Sequence, residues 1–136
     1  DWYVYTVLGD GELEEGQVWE AAMYAAHYKL DHLIAFVDNN GLQIDGPISQ
    51  VMSSLPISEK FKAFGWHVIN VNGHNMNELH CAIEEAKQVK DSPSVVIMKT
   101  IKGKGVKETE NKVGWHGKAP SEEQCVQFVK EVQEAE

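Results

Sequence analysis

The fold of this 136-residue chain is decided by the run Tyr3-Val4-Tyr5-Thr6-Val7-Leu8-Gly9-Asp10-Gly11. Its aromatic, β-branched and aliphatic residues are typical of a buried strand, and the pattern predicts a strand over Tyr3–Leu8. The two glycines on either side of Asp10 end this strand. In the next segment, Gln17–Tyr28, alanine and valine recur at helical spacing among good helix formers. We therefore expect a crossover helix with a face of small residues.

The same arrangement recurs along the chain. Leu33–Val37 is predicted as the next strand, and it leads into the loop Asp38-Asn39-Asn40-Gly41. Trp66–Val71 and Ser94–Met98 are predicted as two further strands, with the helix Met76–Val89 between them. Alternating strands and helices favour βαβ units, and right-handed crossovers make the strands parallel. We expect an α/β fold, a three-layer parallel sheet with helices on both faces.

The segment between the second and third strands has a weaker pattern. Pro47 and Pro56 bracket a stretch with no clear period. After it, Ser58 is expected to cap a short helix that runs through Phe64, and Gly65 is expected to end that helix.

The last third of the chain is richer in Lys, Gly and Glu. This composition predicts a surface loop over residues 99–120. Ser121 begins a Ser-Glu-Glu-Gln run that is typical of a capping box, so we expect a C-terminal helix within residues 121–136. The length suits one domain. Because the sequence opens directly on a strand, we expect a fragment that lacks its N-terminal part.

The charge and composition of the chain exclude some classes of partner. The net charge is -9, and all twelve basic residues are lysine, which argues against nucleic acid as a partner. The absence of arginine removes bidentate recognition of phosphate by a guanidinium group. No apolar run approaches the roughly 20 residues of a membrane helix, so we expect no membrane partner and a cytoplasmic location. Cys81 and Cys125 are unpatterned and predicted to be reduced.

Two polar side chains follow the first two predicted strands. Asp10 and Asn40 lie thirty residues apart, about one strand-helix-strand unit. The carboxyl ends of parallel strands meet at one edge of a sheet, where ligands bind near the reversal of strand order. A carboxylate, an amide oxygen and the backbone carbonyl of Leu42 suit Mg²⁺, which prefers oxygen ligands. Gly9 and Gly11 allow the backbone to approach phosphate groups closely. The pattern predicts a metal-bound diphosphate.

A simpler interpretation exists for each half of this pattern. Asp10-Gly11 and Asn40-Gly41 are both strong hairpin-turn signals when taken singly. Because both follow predicted buried strands and a long helix separates them, the pair favours the ligand site over two turns.

Several further segments point to a family. The run Gly9–Gly16 and, about thirty residues later, Asp38–Gly46 resemble the thiamine diphosphate motif of transketolases. The resemblance continues through the segments Phe64–Val68, Asn72–His74, Lys99–Gly105 and Trp115–Pro120. It spans nearly the whole chain and is closest to the N-terminal subunit of transketolases that are split into two chains. It implies a single diphosphate-binding (PP-type) domain over residues 1–136.

The resemblance also implies a role for individual residues. Asp10, Asn40 and the carbonyl of Leu42 would coordinate Mg²⁺, or Ca²⁺ or Mn²⁺ in its place. Gly9 and Gly11 would contact the diphosphate, and Ile44 would lie against the thiazolium ring. Three further residues are candidates for catalysis. Glu15 and Glu20 match acidic positions that link paired active sites across a dimer, and the alternative is that they are solvated charges on a helix. His116 matches a histidine near the diphosphate and substrate, and the alternative is a structural or exposed histidine in a loop.

The activity that follows from the resemblance is transfer of a two-carbon ketol unit from a ketose phosphate to an aldose, in the pentose phosphate pathway. The family places the activating glutamate on a pyrimidine-binding domain of a partner subunit, and we see no such pattern in these 136 residues. We therefore expect a homo- or hetero-oligomer such as a dimer, and a chain that is inactive alone. The alternatives are a transketolase for a specialised sugar, a dehydrogenase E1 or deoxyxylulose phosphate synthase, and a non-catalytic Mg²⁺-phosphate or protein-interaction module.

Overall fold

A computed structural model describes residues 2–134 and shows a parallel α/β sheet. Its main sheet has four strands, β1 (Val4–Gly9), β2 (Leu33–Asn39), β5 (His67–Asn72) and β6 (Ser94–Lys99). A separate hairpin consists of β3 (Leu42–Gln43) and β4 (Gly46–Pro47). The helices are α1 (Gly16–His27), α2 (Ile48–Val51), α3 (Ile57–Ala63), α4 (Met76–Gln88) and α5 (Glu122–Glu134).

The strands of the main sheet lie in the order β1-β2-β6-β5, and all three pairings are parallel. The register aligns their carboxyl ends, because Gly9 is opposite Asp38 and Lys99 is opposite both Asn39 and Asn72. The chain passes from β1 to its neighbour β2, crosses beyond β6 to β5, and returns to β6. The order of the described strands therefore reverses between β5 and β6. The expectation that it reverses beside Asp10 and Asn40, at the ends of β1 and β2, is wrong.

Helices cover both faces of this sheet, which confirms the predicted three-layer architecture. Alanines of α1 and apolar residues of α3 pack on the face formed by Ala35, Val37, Val95 and Ile97. Alanines of α4 pack on the opposite face against Ile34 and Val96. Two of the small residues predicted in the first crossover helix, Ala22 and Ala25, are buried in this core.

Phe61 of α3 occupies the centre of the larger core. Its side chain is 1% exposed. Its ring lies 5.3 Å from the rings of both Trp19 and Trp66, measured between centroids. The indole N–H of the buried Trp66 donates to the carbonyl oxygen of Ala22 at 2.9 Å, so the polar atom of this core residue is satisfied.

One local prediction is wrong. Ser58 does not cap α3, since the helix begins at Ile57 after Pro56 and the Ser58 hydroxyl donates to Asn70 Oδ1 at 2.9 Å. The stretch between the two prolines, which has no clear sequence period, contains the short helix α2. Gly65 follows the end of α3 with a φ of +88°, a left-handed conformation that glycine adopts without strain.

The C-terminal part of the described chain consists of an irregular segment followed by α5. Residues 113–115 of that segment form a 3₁₀ turn, and Val106 is buried within it. Ser121 and Gln124 form the predicted capping box, each side chain accepting from the backbone N–H of the other residue. The last two residues of the expected helix, 135 and 136, and the first residue of the chain lie outside the described part.

Two findings concern properties of the whole described chain. Residues 2–134 contain no helix that is both long enough and apolar enough to cross a membrane. Cys81 and Cys125 are free, as predicted, and both are exposed.

Replacement of Phe61 with alanine tests the core. We expect Phe61→Ala to lower the free energy of unfolding by about 3–5 kcal/mol, because it opens a cavity between two tryptophans. Urea denaturation would measure this change. Met23→Ala, at a position on α1 that is half exposed, serves as the control and should stay within about 0.5 kcal/mol of wild type. Equal effects of the two substitutions would contradict this description of the core.

Candidate functional site

The residues after β1 and β2 meet at the carboxyl edge of the sheet. The backbone N–H of Asp10 donates to the carbonyl oxygen of Asp38 at 3.1 Å, which extends the strand pairing by one residue. The N–H of Gly41 donates to Asp10 Oδ2 at 2.5 Å. Two loops that are thirty-one residues apart in sequence are thus joined through the Asp10 carboxylate.

Asn40 is held by hydrogen bonds at both ends of its amide group. Its Oδ1 accepts from the N–H of Leu42 at 2.9 Å, and its Nδ2 donates to Asp38 Oδ2 at 3.1 Å. The amide oxygen keeps a second lone pair that is free for a further partner. Gly41, between these residues, has a φ of +79°, so the tight loop requires a residue that adopts the left-handed region.

Asp10 is a buried carboxyl group with an altered proton affinity. The residue is 1% exposed. Burial raises the pKa of Asp10 above its ordinary value, and the neighbouring Asp38 carboxylate acts in the same direction. The backbone amides of Gly41 and Gly11, together with the charge of Lys99, oppose this rise in pKa. A cation beside Asp10 would relieve the cost of ionising it.

A cleft of about 640 Å³ opens beside these loops. It brings together seven of the nine residues that the sequence singled out, namely Gly9, Asp10, Gly11, Glu15, Leu42, Ile44 and His116. Asn40 does not line the cleft itself but is bonded to Leu42, which does. Glu20 is exposed on α1 and does not line this cleft.

Sequence reasoning missed three side chains in the cleft, Glu12, Gln17 and Gln43. The Glu12 carboxylate accepts from the N–H of Gly9 at 2.5 Å. Gln43 approaches Gly11 so closely that a Cβ at Gly11 would lie 3.1 Å from the Gln43 Cβ. Gln43 belongs to the β3–β4 hairpin, and because two-residue strands have no recognisable period, no sequence signal placed it there.

The charged groups of the cleft are mainly acidic. Asp10, Glu12 and Glu15 line it, and no lysine is among its lining residues. The one basic side chain of the cleft is that of His116, an exposed residue at the end of the 3₁₀ turn, whose backbone N–H donates to the carbonyl oxygen of Val113 at 2.9 Å. An anionic ligand in this cleft would meet repulsion unless a cation accompanied it.

The donor set of the site is mixed rather than a cluster of charged ligands. Within residues 2–134 no group of three or more His, Cys, Asp or Glu side chains is arranged to hold a metal ion. The candidate ligands are one carboxylate, one amide oxygen and one backbone carbonyl. Such hard oxygen donors suit Mg²⁺ when a phosphate ligand and water supply the remaining positions.

Comparison with known proteins identifies the family. Residues 1–133 match the family described as transketolase, thiamine diphosphate binding domain. The chain belongs to the transketolase family. It is a thiamine diphosphate-binding domain of that family, and the predicted resemblance is confirmed.

The relatives include separate transketolase subunits. The chain is 45% identical to the 6-deoxy-6-sulfo-D-fructose transketolase subunit of Clostridium sp. (strain MSTE9), over 96% of this chain and 47% of that protein. It is 40% identical to an apulose-4-phosphate transketolase subunit of Phocaeicola vulgatus, over 98% of this chain and 48% of that protein. The chain therefore spans about half the length of these subunits.

A solved transketolase structure has the same fold. The transketolase of Campylobacter jejuni subsp. jejuni NCTC 11168 superposes with a TM-score of 0.87 at 33% sequence identity. The match covers 99% of this chain and 20% of that one. The sheet order and helix placement described above are thus those of a transketolase diphosphate-binding domain.

The raised pKa of Asp10 predicts a specific pH dependence of stability. The folded state binds the Asp10 proton more tightly than the unfolded state does, so this contribution to stability is complete below the ordinary carboxyl pKa. It is lost as the pH rises through the raised pKa. Asp10→Asn keeps a hydrogen-bond acceptor for Gly41 and removes the titration. With metal chelated, we expect Asp10→Asn to be at least as stable as wild type at neutral pH.

Urea denaturation across pH would test this expectation. The relative stability of Asp10→Asn should decline as the pH falls, because protonation relieves the wild-type carboxyl group. Asp45→Asn, at an exposed position, is the matched control and should show no such trend. A variant that is less stable than wild type at neutral pH and more stable in acid would reverse the predicted sign.

Proposed function

We propose that this chain is the thiamine diphosphate- and Mg²⁺-binding part of a transketolase that moves a two-carbon ketol unit from a ketose phosphate to an aldose. The observation that carries this proposal is the buried Asp10 carboxylate. It lies between two glycines and is hydrogen-bonded to the amide that follows Asn40. The family match supports the cofactor, and the oxygen donors support the metal.

The metal ion would be held by three oxygen donors. These are the Asp10 carboxylate, the Asn40 amide oxygen and the carbonyl oxygen of Leu42. Ca²⁺ or Mn²⁺ would fit the same donors. The acidic lining of the cleft supports a strict need for a cation, since Glu12 and Glu15 would otherwise repel a diphosphate. In this proposal the metal ion joins the acidic cleft to an acidic ligand.

The other cleft residues would orient and protect the reacting groups. Gly9 and Gly11 line the cleft where the diphosphate would bind, and the exposed side chain of Ile44 would provide an apolar contact for the thiazolium ring. When bound, thiamine diphosphate supplies a carbon nucleophile that adds to a carbonyl group and accepts the electron pair released on bond cleavage. His116, whose exposed side chain lines the cleft, would donate a hydrogen bond to an anion or transfer a proton.

Glu15 and Glu20 are proposed for a different role. They lie five residues apart, Glu15 at the start of α1 and Glu20 within it, and both are exposed. Exposed carboxylates on a helix are available to a partner subunit, and we propose that these two take part in a carboxylate network between paired active sites. Glu15 lines the cleft and Glu20 does not, which supports a position for Glu15 at the end of this network near the cofactor.

The partner in this proposal is a C-terminal transketolase subunit that carries the pyrimidine-binding domain. Relatives of similar sequence are named as transketolase subunits, and this chain spans about half of them. Two of these names specify a sulfonated and a phosphorylated sugar, which supports an anionic sugar as substrate. We further propose a cytoplasmic enzyme acting on sugars of the pentose phosphate type, in a homo- or hetero-oligomer such as a dimer.

Calorimetry with thiamine diphosphate tests the site. We expect wild-type protein to bind thiamine diphosphate when Mg²⁺ is present and to lose binding when Mg²⁺ is chelated. Asp10→Ala should abolish the Mg²⁺-dependent binding, because it removes the one carboxylate among the candidate ligands. Asp45→Asn should bind as wild type does. Binding that is equally tight in Asp10→Ala and wild type would eliminate the proposed metal site.

Activity measurements test the proposed division between subunits. The purified chain should show no ketol transfer, since the activating glutamate belongs to the partner's pyrimidine domain in this proposal. The complete N-terminal subunit, assembled with the partner subunit, should turn over a sugar phosphate donor. Turnover by the chain alone would refute the dependence on a partner. A complete assembly that binds the cofactor without any turnover would favour a non-catalytic binding module.

A further inference from the structure

Asp38 connects the candidate metal loop to the strand on its other side. Its side chain is half-buried near the end of β2. One carboxylate oxygen accepts from Asn40 Nδ2 at 3.1 Å, and the other accepts a hydrogen bond from the hydroxyl of Thr100, just after β6. Asp38 does not line the cleft, so its carboxylate contacts the candidate metal ligand Asn40 outside the cleft.

These contacts select one orientation of the Asn40 amide group. The Asp38 carboxylate only accepts hydrogen bonds when ionised, so it requires the NH₂ of Asn40 on its side. The N–H of Leu42 only donates, so it requires the amide oxygen on the other side. Both neighbours therefore favour the orientation in which Oδ1 lies beside Leu42, the other candidate oxygen donor of the loop.

Thr100 and the residue that follows it make three contacts with neighbouring segments. Its N–H donates to the carbonyl oxygen of Asn39 at 3.4 Å, and the next N–H, that of Ile101, donates to His74 Nε2 at 2.8 Å. Gly73 packs against it so tightly that a Cβ there would lie 2.5 Å from Thr100 Cγ2. The loop that follows β5 thus lies against Thr100 and its neighbour Ile101.

We propose that Thr100 and Asp38 are positioning residues for the metal ligand Asn40. The hydroxyl of Thr100 holds the Asp38 carboxylate, and that carboxylate holds the Asn40 amide so that its oxygen faces the metal. The inference rests on the proposed function, because it assumes that Asn40 is a ligand. Neither positioning residue touches the metal, the cofactor or the reacting atoms.

This assignment follows the general behaviour of metal sites. Side chains that hold a ligand in place usually alter metal affinity about 10- to 100-fold when they are removed. A valine at position 100 keeps the shape of threonine but cannot donate to Asp38, whereas a serine keeps the hydroxyl. The pair Thr100→Val and Thr100→Ser therefore separates the hydrogen bond from packing.

The first measurement is made on the protein without metal or cofactor. Amide hydrogen exchange of Leu42 reports on the bond to Asn40 Oδ1, with the amide of Ala35 in β2 as the reference for global opening. We expect exchange of Leu42, relative to Ala35, to become about tenfold faster in Thr100→Val and to stay near the wild-type rate in Thr100→Ser. Thr109→Val is the control, because the Thr109 hydroxyl bonds the backbone of its own loop.

The second measurement titrates Mn²⁺ into the protein with thiamine diphosphate present and follows bound metal by electron paramagnetic resonance. We expect Thr100→Val to weaken Mn²⁺ binding about tenfold or more, Asp38→Ala to weaken it at least as much, and Thr100→Ser to remain within about twofold of wild type.

The outcomes distinguish this inference from the proposed function. If Thr100→Val leaves both Leu42 exchange and Mn²⁺ affinity unchanged, the positioning role is wrong even though wild type binds the metal. If wild type binds no Mn²⁺, the proposed function fails, and the exchange of Leu42 still decides whether Thr100 positions the Asn40 loop. Equal loss of Mn²⁺ affinity in Thr100→Ser and Thr100→Val would also overturn the role of the hydroxyl.

Discussion

The hydrogen bond from the Gly41 N–H to the buried Asp10 carboxylate is the contact on which the site depends. Without a partner, a buried carboxylate is strongly destabilising, and here backbone amides supply part of the compensation. This contact exists because β1 and β2 are parallel neighbours whose register puts Gly9 opposite Asp38. The sheet pairing therefore determines which loops meet, and the carboxylate then joins them into a single site.

Local patterns in the sequence predicted most of this frame. The four main strands, the crossover helix α1 and the capping box at Ser121 follow from apolar periodicity and helix-start signals, which depend on neighbouring residues only. The Gly-Asp-Gly turn and Asn40 could be assigned to one edge because parallel strands share it. The sequence could not reveal the strand order. The connection from β2 to β5 passes the position of β6, and this placement depends on contacts between distant segments.

The parts of the site that the sequence did not predict also depend on how the folded chain brings its segments together. Gln43 reaches the cleft through a hairpin whose strands are two residues long, too short for a period to be recognised. Glu12 was visible in the sequence, but its bond to Gly9 depends on how the chain turns after β1. Asp38 was seen only as part of a loop, although the structure places its side chain against Thr100, sixty-two residues away.

Alignment of the strand ends explains why distant loops affect one another. Gly9 is level with Asp38, and Asn39, Lys99 and Asn72 are level with one another one residue further on, so the segments that follow the four strands share a single edge. Asp10 and Asn40 at this edge are bonded to backbone amides and to the Asp38 side chain. A series of contacts runs from Gly73 and His74 through Thr100 and Asp38 to Asn40. Hydrogen bonds thus join the segments that follow β1, β2, β5 and β6 across this edge of the sheet.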